Sequence, residues 1–487
     1  MPSLIDAFAL FGVVLLVAPL VSGLIQRAPI SFPIIFLGLG VLLGNRGFGV
    51  LSLTPHDKSL EVVATLTLAL VLFIDALKLR LDEVGEDWVL PILTLGPGTI
   101  CTIALVTIGA HFILGFSMIE SVLMGSILAS TDPVVLRDIL RDERIPRAIR
   151  RTLGVEAGTN DIVVLPTVLI LIAIANSTAG GFLDWGEFLL KLLILGPIAG
   201  AVVGASGGWA IGKADQRFNI GREYQALYGI GLVLVAYVAG VQVGGDGFLA
   251  AFAAGLTVTA LEFELCDCFL DYGDVTAEML MFLAFVLFGA VISSMSFPIS
   301  PARMIVFAVV VIAISRPIAM WLVLRQAQIS QVARRTIGWF GPRGLSSLLF
   351  ALLVIESGLG SGERILSVVG IVVMISVLVH GVSATPLGAW YGRQLAEQTL
   401  AEERETTAIG LFRGEAGGDQ VPRISVDELA RLLDSPDPPI VLDVRTHSQY
   451  AADGSRIPGS IRVAPDHLLE WIDNQEQRDR LIVAYCT

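Results

Sequence analysis

Charged residues are scarce in this chain. Asp, Glu, Lys and Arg make up 16% of its 487 residues, whereas hydrophobic residues make up 54%. A soluble domain usually carries about 25% charged residues, mixed among the others. The charges here are confined to short clusters between long apolar runs, and many of these runs reach the roughly 20 residues that a helix needs to cross a bilayer. This pattern excludes an ordinary soluble protein and predicts an all-α polytopic membrane protein.

Cysteines and basic patches are also few. Four cysteines in 487 residues do not make the disulfide framework of a secreted domain. No stretch interleaves arginines with aromatic residues as nucleic-acid-binding proteins do. Much of the net charge of −13 comes from acidic residues beyond residue 395, so it describes a soluble tail. We therefore expect a lipid membrane around most of the chain, no nucleic-acid partner and no cofactor.

Apolar runs between polar breaks predict about 13 transmembrane helices. Their approximate bounds are 4–25, 30–48, 59–79, 88–114, 118–139, 150–176, 187–212, 223–243, 246–261, 276–296, 302–324, 335–356 and 365–391. The first run has no basic start and no cleavage site, which indicates a membrane helix and not a signal peptide. The predicted domains are a membrane domain (1–391), a polar linker (392–422) and a soluble domain (423–487).

Lysine and arginine are distributed unevenly between the predicted loops. The loops on one side of the membrane hold about fifteen of them and those on the other side about five, and positive loops remain in the cytoplasm. The sequence therefore predicts a protein of the cell (inner) membrane. Its N-terminus should lie outside and its C-terminal domain should be cytoplasmic.

Two predicted helices carry a proline at mid-span, in the segments Ser130–Pro133 and Gly341–Gly344. Proline lacks an amide proton and clashes with the preceding turn, so both helices should unwind there. They lie seven spans apart, and spans four and eleven match in the same way through Pro97 and Pro317. This spacing predicts two inverted six-helix repeats with two broken crossing helices and a site near the membrane centre. Ordinary proline kinks are the alternative.

Ionisable side chains inside a membrane are costly, and they therefore mark candidate functional sites. The predicted helices contain Asp75, Asp132, Glu156, Asp161, Arg316 and Arg343. A buried carboxylate can hold either a proton or a desolvated cation, and competition for one carboxylate couples the two fluxes. Asp161 is the first candidate for this exchange and Asp132 the second. Hard cations prefer oxygen ligands, which these carboxylates, Asn160 and the backbone around Thr131 would supply.

Four motifs resemble those of the monovalent cation/proton antiporters. They are Thr131–Pro133, Glu156–Asp161, Ser315–Pro317 and Gly341–Gly344. Their order and span positions agree across residues 1–391. The resemblance is to the branch with an Asn-Asp pair, which includes prokaryotic sodium/proton antiporters and the animal exchangers.

This resemblance implies roles for individual residues. Asp161 is expected to carry the ion or proton, with Asp132 beside it, and Arg316 is expected to pair with Glu156 in preference to Arg343. We favour a structural role for this pair, which would hold the helices in register. The segment Leu72–Asp75 resembles an acidic motif near the ion path. Ala157 stands where some relatives have a serine ligand, which leaves water or carbonyl groups to coordinate the ion there.

The resemblance also implies the function of the whole chain. We expect a homodimeric secondary transporter, and not an enzyme, that exchanges sodium or lithium for protons by alternating access and serves pH homeostasis. Because Asn160 stands where the electrogenic branch carries a second Asp, the exchange should be electroneutral, one for one. A potassium/proton antiporter is the nearest alternative. An alternative of another class is a membrane-tethered sulfurtransferase or sensor.

The tail resembles a rhodanese domain with an α/β fold. The segments Leu442–Arg445 and Arg456–Ile461 match its strand and loop signatures, and Tyr485–Thr487 matches the approach to its catalytic cysteine. The resemblance makes Cys486 the candidate thiol. The loop whose amides activate this thiolate in rhodaneses would follow Cys486, so we expect either a longer chain or a domain that does not act alone. A regulatory or sulfur-binding module is an equal alternative to a sulfurtransferase.

Overall fold

The structure is a computed structural model that describes most of the membrane part and pieces of the tail. The described residues are 10, 12–20, 31–79, 89–142, 144–176, 182–261, 267–297, 299–327, 329–397, 426–433, 438–445, 450, 455–468, 471 and 480–485.

The membrane part is a bundle of helices joined by short loops. Residues 12–20 are helical. The helices that follow are α1 (Phe32–Leu43), α2 (Lys58–Leu77), α3 (Val89–Leu114), α4 (Met118–Ile127), α5 (Pro133–Leu140), α6 (Arg147–Ala175) and α7 (Asp184–Phe218). They are succeeded by α8 (Arg222–Gln242), α9 (Gly247–Ala260), α10 (Asp267–Ser294), α11 (Pro301–Gln326), α12 (Gln331–Trp339), α13 (Leu345–Glu356) and α14 (Gly362–Glu397).

These helices agree with the predicted membrane spans. Within the described residues, eight helices are long and apolar enough to cross a membrane. Each predicted span contains described helix, although α7, α10 and α14 extend beyond their predicted ends. The polytopic helical fold is therefore confirmed. The total of 13 spans stays a prediction.

Both predicted helix breaks are present. The first separates α4, which ends at Ile127, from α5, which begins at Pro133. The second separates α12, which ends at Trp339, from α13, which begins at Leu345. Pro133 occupies the first turn of α5, where its missing amide proton breaks no helical hydrogen bond. The two breaks touch each other, because the Asp132 amide donates to the Pro342 carbonyl over 3.0 Å.

The helices that contain Pro97 and Pro317 are continuous and not interrupted. A π-helical segment, Thr94–Gly98, contains Pro97, and another, Val310–Ser315, directly precedes Arg316 and Pro317. A π turn accommodates one extra residue, so the helix can take up a local defect without ending. These helices therefore differ from the two broken helices, although all four carry proline.

Two apolar clusters surround the breaks. The larger one joins α1, α2, α10, α13 and α14, and it includes Phe36, Phe73, Phe285, Phe350 and Val369. The smaller one joins α5, α6, α11 and α12 through Leu136, Leu153, Met320 and Ile337. The second cluster packs the helix that carries Glu156 against the helix that carries Arg316.

The tail forms a small α/β unit. It consists of α15 (Val426–Leu433), β1 (Ile440–Asp443), β2 (Ile461–Arg462) and β3 (Ile482–Tyr485), and the parallel strands lie in the order β2-β1-β3. Arg445 hydrogen-bonds to the carboxylate of Asp443 and lowers its pKa. The predicted α/β fold of the tail is confirmed. Cys486 lies outside the described residues, and so does the predicted linker beyond Glu397, where α14 ends.

Candidate functional site

Helix α6 brings three polar side chains into the centre of the bundle. Glu156 is 1% exposed, Asn160 0% and Asp161 5%. Glu156 and Asn160 are four residues apart and share one face of the helix, whereas Asp161 is turned by about 100°. Asn160 and Asp161 face the first break, where they contact Ala129, Ser130 and Thr131. Each of the three side chains then meets a different kind of partner.

Glu156 forms a buried ion pair with Arg316 of α11. Arg316 Nη1 donates to Glu156 Oε1 over 2.5 Å, and Nη2 donates to Oε2 over 2.7 Å. The two side chains are 1% and 3% exposed. A bidentate pair of this kind is strong and fixes the relative orientation of its two helices. The structure therefore confirms the expected pairing with Arg316 in preference to Arg343.

Asp161 contacts neutral groups. Its Oδ1 accepts a hydrogen bond from the Ser130 hydroxyl over 2.6 Å, and the Ser346 hydroxyl is a second neighbour. Within the described part of the chain, no Lys or Arg forms an ion pair with this carboxylate. Among the described residues, therefore, no cation is paired with its negative charge.

Asn160 is fixed by its amide nitrogen. Nδ2 donates to the Ala129 carbonyl over 3.0 Å and to Thr131 Oγ1 over 3.1 Å. The amide oxygen Oδ1 is buried and has no hydrogen-bond partner among the described residues. A buried acceptor without a partner is rare in native proteins. It is an available oxygen next to Asp161.

Asp132 joins the two broken helices. Its Oδ1 accepts from the Val134 amide over 2.8 Å, and its Oδ2 accepts from the Leu345 amide, also over 2.8 Å. These amides lie at the N-termini of α5 and α13, where a negative charge is favourable. A Cβ atom on Gly344 would collide with the Asp132 carboxylate. Glycine is therefore needed for this close approach.

Arg343 binds carbonyl groups at the C-terminal end of a helix, whereas Asp132 binds amides at N-terminal ends. Its Nη1 donates to the carbonyls of Ala129 and Ser130 over 3.0 and 3.1 Å, just past the C-terminus of α4. The side chain is 1% exposed. A positive charge at a helix C-terminus compensates the negative end of the dipole. At the crossing of the two broken helices, Asp132 therefore binds the free amides and Arg343 binds the free carbonyls.

A cavity of about 800 Å³ leads to this crossing. Asp75, Asp132, Gly158 and Ser346 are among the residues that line it. The Asp75 carboxyl carbon faces α6, since a Cβ on Gly158 would lie 3.9 Å from it. The lining also contains apolar side chains and six basic residues, Lys78, Arg137, Arg141, Arg147, Arg150 and Arg151. These six residues belong to the basic clusters that the sequence predicts to be cytoplasmic.

The structure brings the predicted site residues together but divides them by environment. Asp132 and Arg343 bind backbone groups, Glu156 and Arg316 bind each other, and Asp161 has no ion-pair partner in the part of the chain that the structure describes. The carbonyls of Ala129 and Ser130, near Thr131, already accept hydrogen bonds. Sequence reasoning missed the serines that contact Asp161 and also a buried histidine, His380. Polar residues inside apolar runs were the available signal.

Two crossing broken helices with buried carboxylates, reached by a cavity in a polytopic bundle, define a membrane transporter that exchanges cations for protons. The chain belongs to the sodium/hydrogen exchanger family, because the transmembrane model of that family matches residues 12–390. A rhodanese-like domain matches residues 425–487. Both assignments confirm the resemblances seen in the sequence.

Individual relatives have low sequence identity to this chain but match most of its length. The chain is 25% identical over 395 residues to the K(+)/H(+) antiporter NhaP of Alkalimonas amylolytica, covering 80% of this chain and 67% of that protein. It is 26% identical over 416 residues to the K(+)/H(+) antiporter NhaP2 of Shewanella baltica, covering 83% and 70%. The sodium proton antiporter MjNhaP1 from Methanocaldococcus jannaschii shares the fold, with a TM-score of 0.62, 16% identity and coverage of 78% and 99%.

Proposed function

We propose that the protein exchanges sodium or lithium ions for protons, one for one, through the side chain of Asp161. The observation that carries this proposal is the different pairing of the three buried acids. Glu156 is neutralised by Arg316, and Asp132 is bound by two helix N-termini. Asp161 has a hydroxyl donor and no ion pair among the described residues, so it is the carboxylate that can release a proton when a cation arrives.

The neighbouring oxygens support cation binding at Asp161. Hard cations are bound by carboxylate, amide and hydroxyl oxygens. Asn160 Oδ1 has no partner among the described residues, and the hydroxyls of Ser130, Thr131 and Ser346 lie around the same carboxylate or amide. Asp132 contributes negative charge nearby, although its own oxygens are occupied by backbone amides. On this proposal Asp75, in the cavity wall, attracts cations towards the site.

The proposed cycle uses alternating access. Six basic residues line the cavity, and we assign the side on which they lie to the cytoplasm because positive loops remain there. The tail lies on the same side, since His467 Nε2 is 3.2 Å from Arg150 Nη2 at the start of α6. We place the N-terminus outside and propose a homodimer, the latter from the family resemblance alone.

Potassium is the second candidate for the cation. The two curated relatives are named as potassium/proton antiporters, whereas the structural neighbour is titled a sodium proton antiporter. Sodium and potassium both prefer oxygen ligands, so the residues at the site allow either. The deciding experiment measures dye-reported proton flux in proteoliposomes after addition of sodium, lithium or potassium. Flux with potassium alone would replace the sodium proposal, and no flux with any of the three would overturn proton exchange.

A further inference from the structure

Helix α14 carries two polar residues, Ser376 and His380, in an apolar stretch. They are 0% and 1% exposed and lie one helical turn apart. A polar side chain buried in a membrane segment is unfavourable unless it is hydrogen-bonded. None of the residues at the crossing described above is on this helix. Ser376 and His380 therefore need partners of their own.

Their partners are the two ends of the second helix break. The Arg343 amide donates to Ser376 Oγ over 2.7 Å. Ser376 Oγ lies 3.2 Å from His380 Nδ1, and His380 Nε2 lies 2.9 Å from the Trp339 carbonyl. The chain of hydrogen bonds thus runs from the last residue of α12, through α14, to the arginine inside the break.

The identity of these partners determines the direction of each bond. A carbonyl oxygen only accepts, so Nε2 carries a proton and donates to Trp339. In the neutral ring Nδ1 then accepts from the Ser376 hydroxyl, which in turn accepts from the Arg343 amide. A proton on Nδ1 would instead point to the Ser376 carbonyl, 2.8 Å away. The neutral tautomer is the one that completes the chain.

This chain replaces hydrogen bonds that the helix break removes. In the membrane the backbone groups of an unwound segment need partners from elsewhere in the protein. Asp132 provides one for the Pro342 carbonyl, and α14 provides one for the Arg343 amide. The Trp339 carbonyl accepts from His380 in addition to the Gly341 amide, which lies 2.9 Å from it. The Trp339 indole also donates to Ser383 of α14 over 3.0 Å. The backbone that carries Arg343 is therefore attached on both sides.

The position of Arg343 bears directly on Asp161 through one shared residue, Ser130. Arg343 Nη1 binds the Ser130 carbonyl over 3.1 Å, and the Ser130 hydroxyl binds Asp161 over 2.6 Å. A shift of the Arg343 backbone would move Ser130 and so change the hydrogen bond to Asp161. Loss of the α14 contacts should therefore change the hydrogen bonding of the Asp161 carboxylate, although Ser376 and His380 act on it only through Arg343 and Ser130.

We propose that Ser376 and His380 are positioning residues for ion exchange. They hold the unwound segment 340–344 so that Arg343 keeps Ser130, and with it Asp161, in the geometry that binds the cation. This proposal rests on the proposed role of Asp161. It assigns to α14 a function in the exchange step as well as in the packing of the bundle.

The test uses variants that separate position from packing. Ser376→Ala and His380→Leu remove the hydrogen bonds, while Ser376→Thr and His380→Gln keep a hydroxyl or an amide that can replace them. Ser367→Ala is the matched control. Ser367 is a buried serine of the same helix, and its hydroxyl donates to the Arg364 carbonyl one turn earlier in that helix. We expect the half-saturating cation concentration to rise about tenfold in Ser376→Ala and His380→Leu, the effect of losing one hydrogen bond. The other three variants should stay within about twofold of wild type.

A second measurement does not depend on transport. Hydrogen exchange followed by mass spectrometry should show faster exchange of the Arg343 amide in Ser376→Ala than in wild type and Ser367→Ala. Unchanged exchange would overturn the proposed attachment. A lower melting temperature with an unchanged half-saturating concentration would also overturn it, because the pair would then serve stability alone. If wild type shows no flux with any cation, the proposed function fails. The exchange rate of the Arg343 amide then still tests whether Ser376 and His380 hold the unwound segment.

Discussion

Asp132 accepts a hydrogen bond from the backbone amide of Leu345 over 2.8 Å. The carboxylate of the first break therefore caps the helix that follows the second break, while its other oxygen caps its own helix, α5. In the opposite direction, Arg343 of the second break donates to the carbonyls that follow α4 in the first break. Each break thus supplies the charge that the other needs. We propose that Asp132 remains ionised throughout the transport cycle in this arrangement and that Asp161 is the carboxylate whose occupancy changes.

Replacement of Asp161 by asparagine should abolish cation-driven proton movement, because the amide binds no exchangeable proton. The measurement is dye-reported flux in proteoliposomes that contain equal amounts of folded protein. Asp246→Asn is the matched control. Asp246 is a partly buried acid that caps α9 by accepting from the Leu249 amide over 2.8 Å, and asparagine caps helices equally well. Normal exchange by Asp161→Asn would contradict the assignment of this residue.

Removal of either Glu156 or Arg316 alone should destabilise the protein more than removal of both. A single substitution leaves a buried charge without its partner, and such losses cost about 3–5 kcal/mol. Melting temperatures of Glu156→Gln, Arg316→Met and the double variant in detergent provide the measurement. The double variant should melt above both single variants. Additive losses would show that the pair is not energetically coupled.

The sequence predicts the two helix breaks but not the contacts that satisfy their free backbone groups. Pro133 and Pro342 mark both breaks because proline cannot continue a helix, and the pairing of Glu156 with Arg316 follows from the motifs. The contact between Asp132 and Leu345 joins residues far apart in the chain, and no local pattern encodes it. Pro97 and Pro317 look equivalent to the breaking prolines, but π turns accommodate them. His380 stands out in the sequence as a polar residue inside an apolar run, but its partners Ser376 and Trp339 become apparent only in the structure.

Substitution of Gly344 by alanine should damage both stability and exchange. The added methyl group would collide with the Asp132 carboxylate, and such overpacking costs about 1–3 kcal/mol. We expect a lower melting temperature and a reduced maximal flux. Gly231→Ala on α8 is the control, because a Cβ there meets no atom within 4 Å and alanine favours a helix. Equal behaviour of the two variants would show that the approach of Asp132 to Gly344 is not tight.

The last prediction concerns the charge moved in each cycle. Arg316 neutralises Glu156, and in the proposed cycle Asp132 stays ionised because two helix N-termini bind it. One carboxylate, Asp161, then exchanges one proton for one cation, so no net charge crosses the membrane. A membrane potential contributes about 2.3 kcal/mol per charge per 100 mV, and it should therefore leave the equilibrium of electroneutral exchange unchanged.

The measurement imposes potassium-diffusion potentials of either sign with valinomycin on liposomes that carry out sodium-driven exchange, once potassium has been shown not to be a substrate. The sodium and proton gradients at which net flux stops should be the same at both potentials. Asp161→Asn liposomes serve as the control for passive leak, because they experience the same potentials without exchange. A balance point that moves with voltage would mean that a second site titrates during the cycle. Asp75, in the cavity wall, would then be the first residue to replace with asparagine.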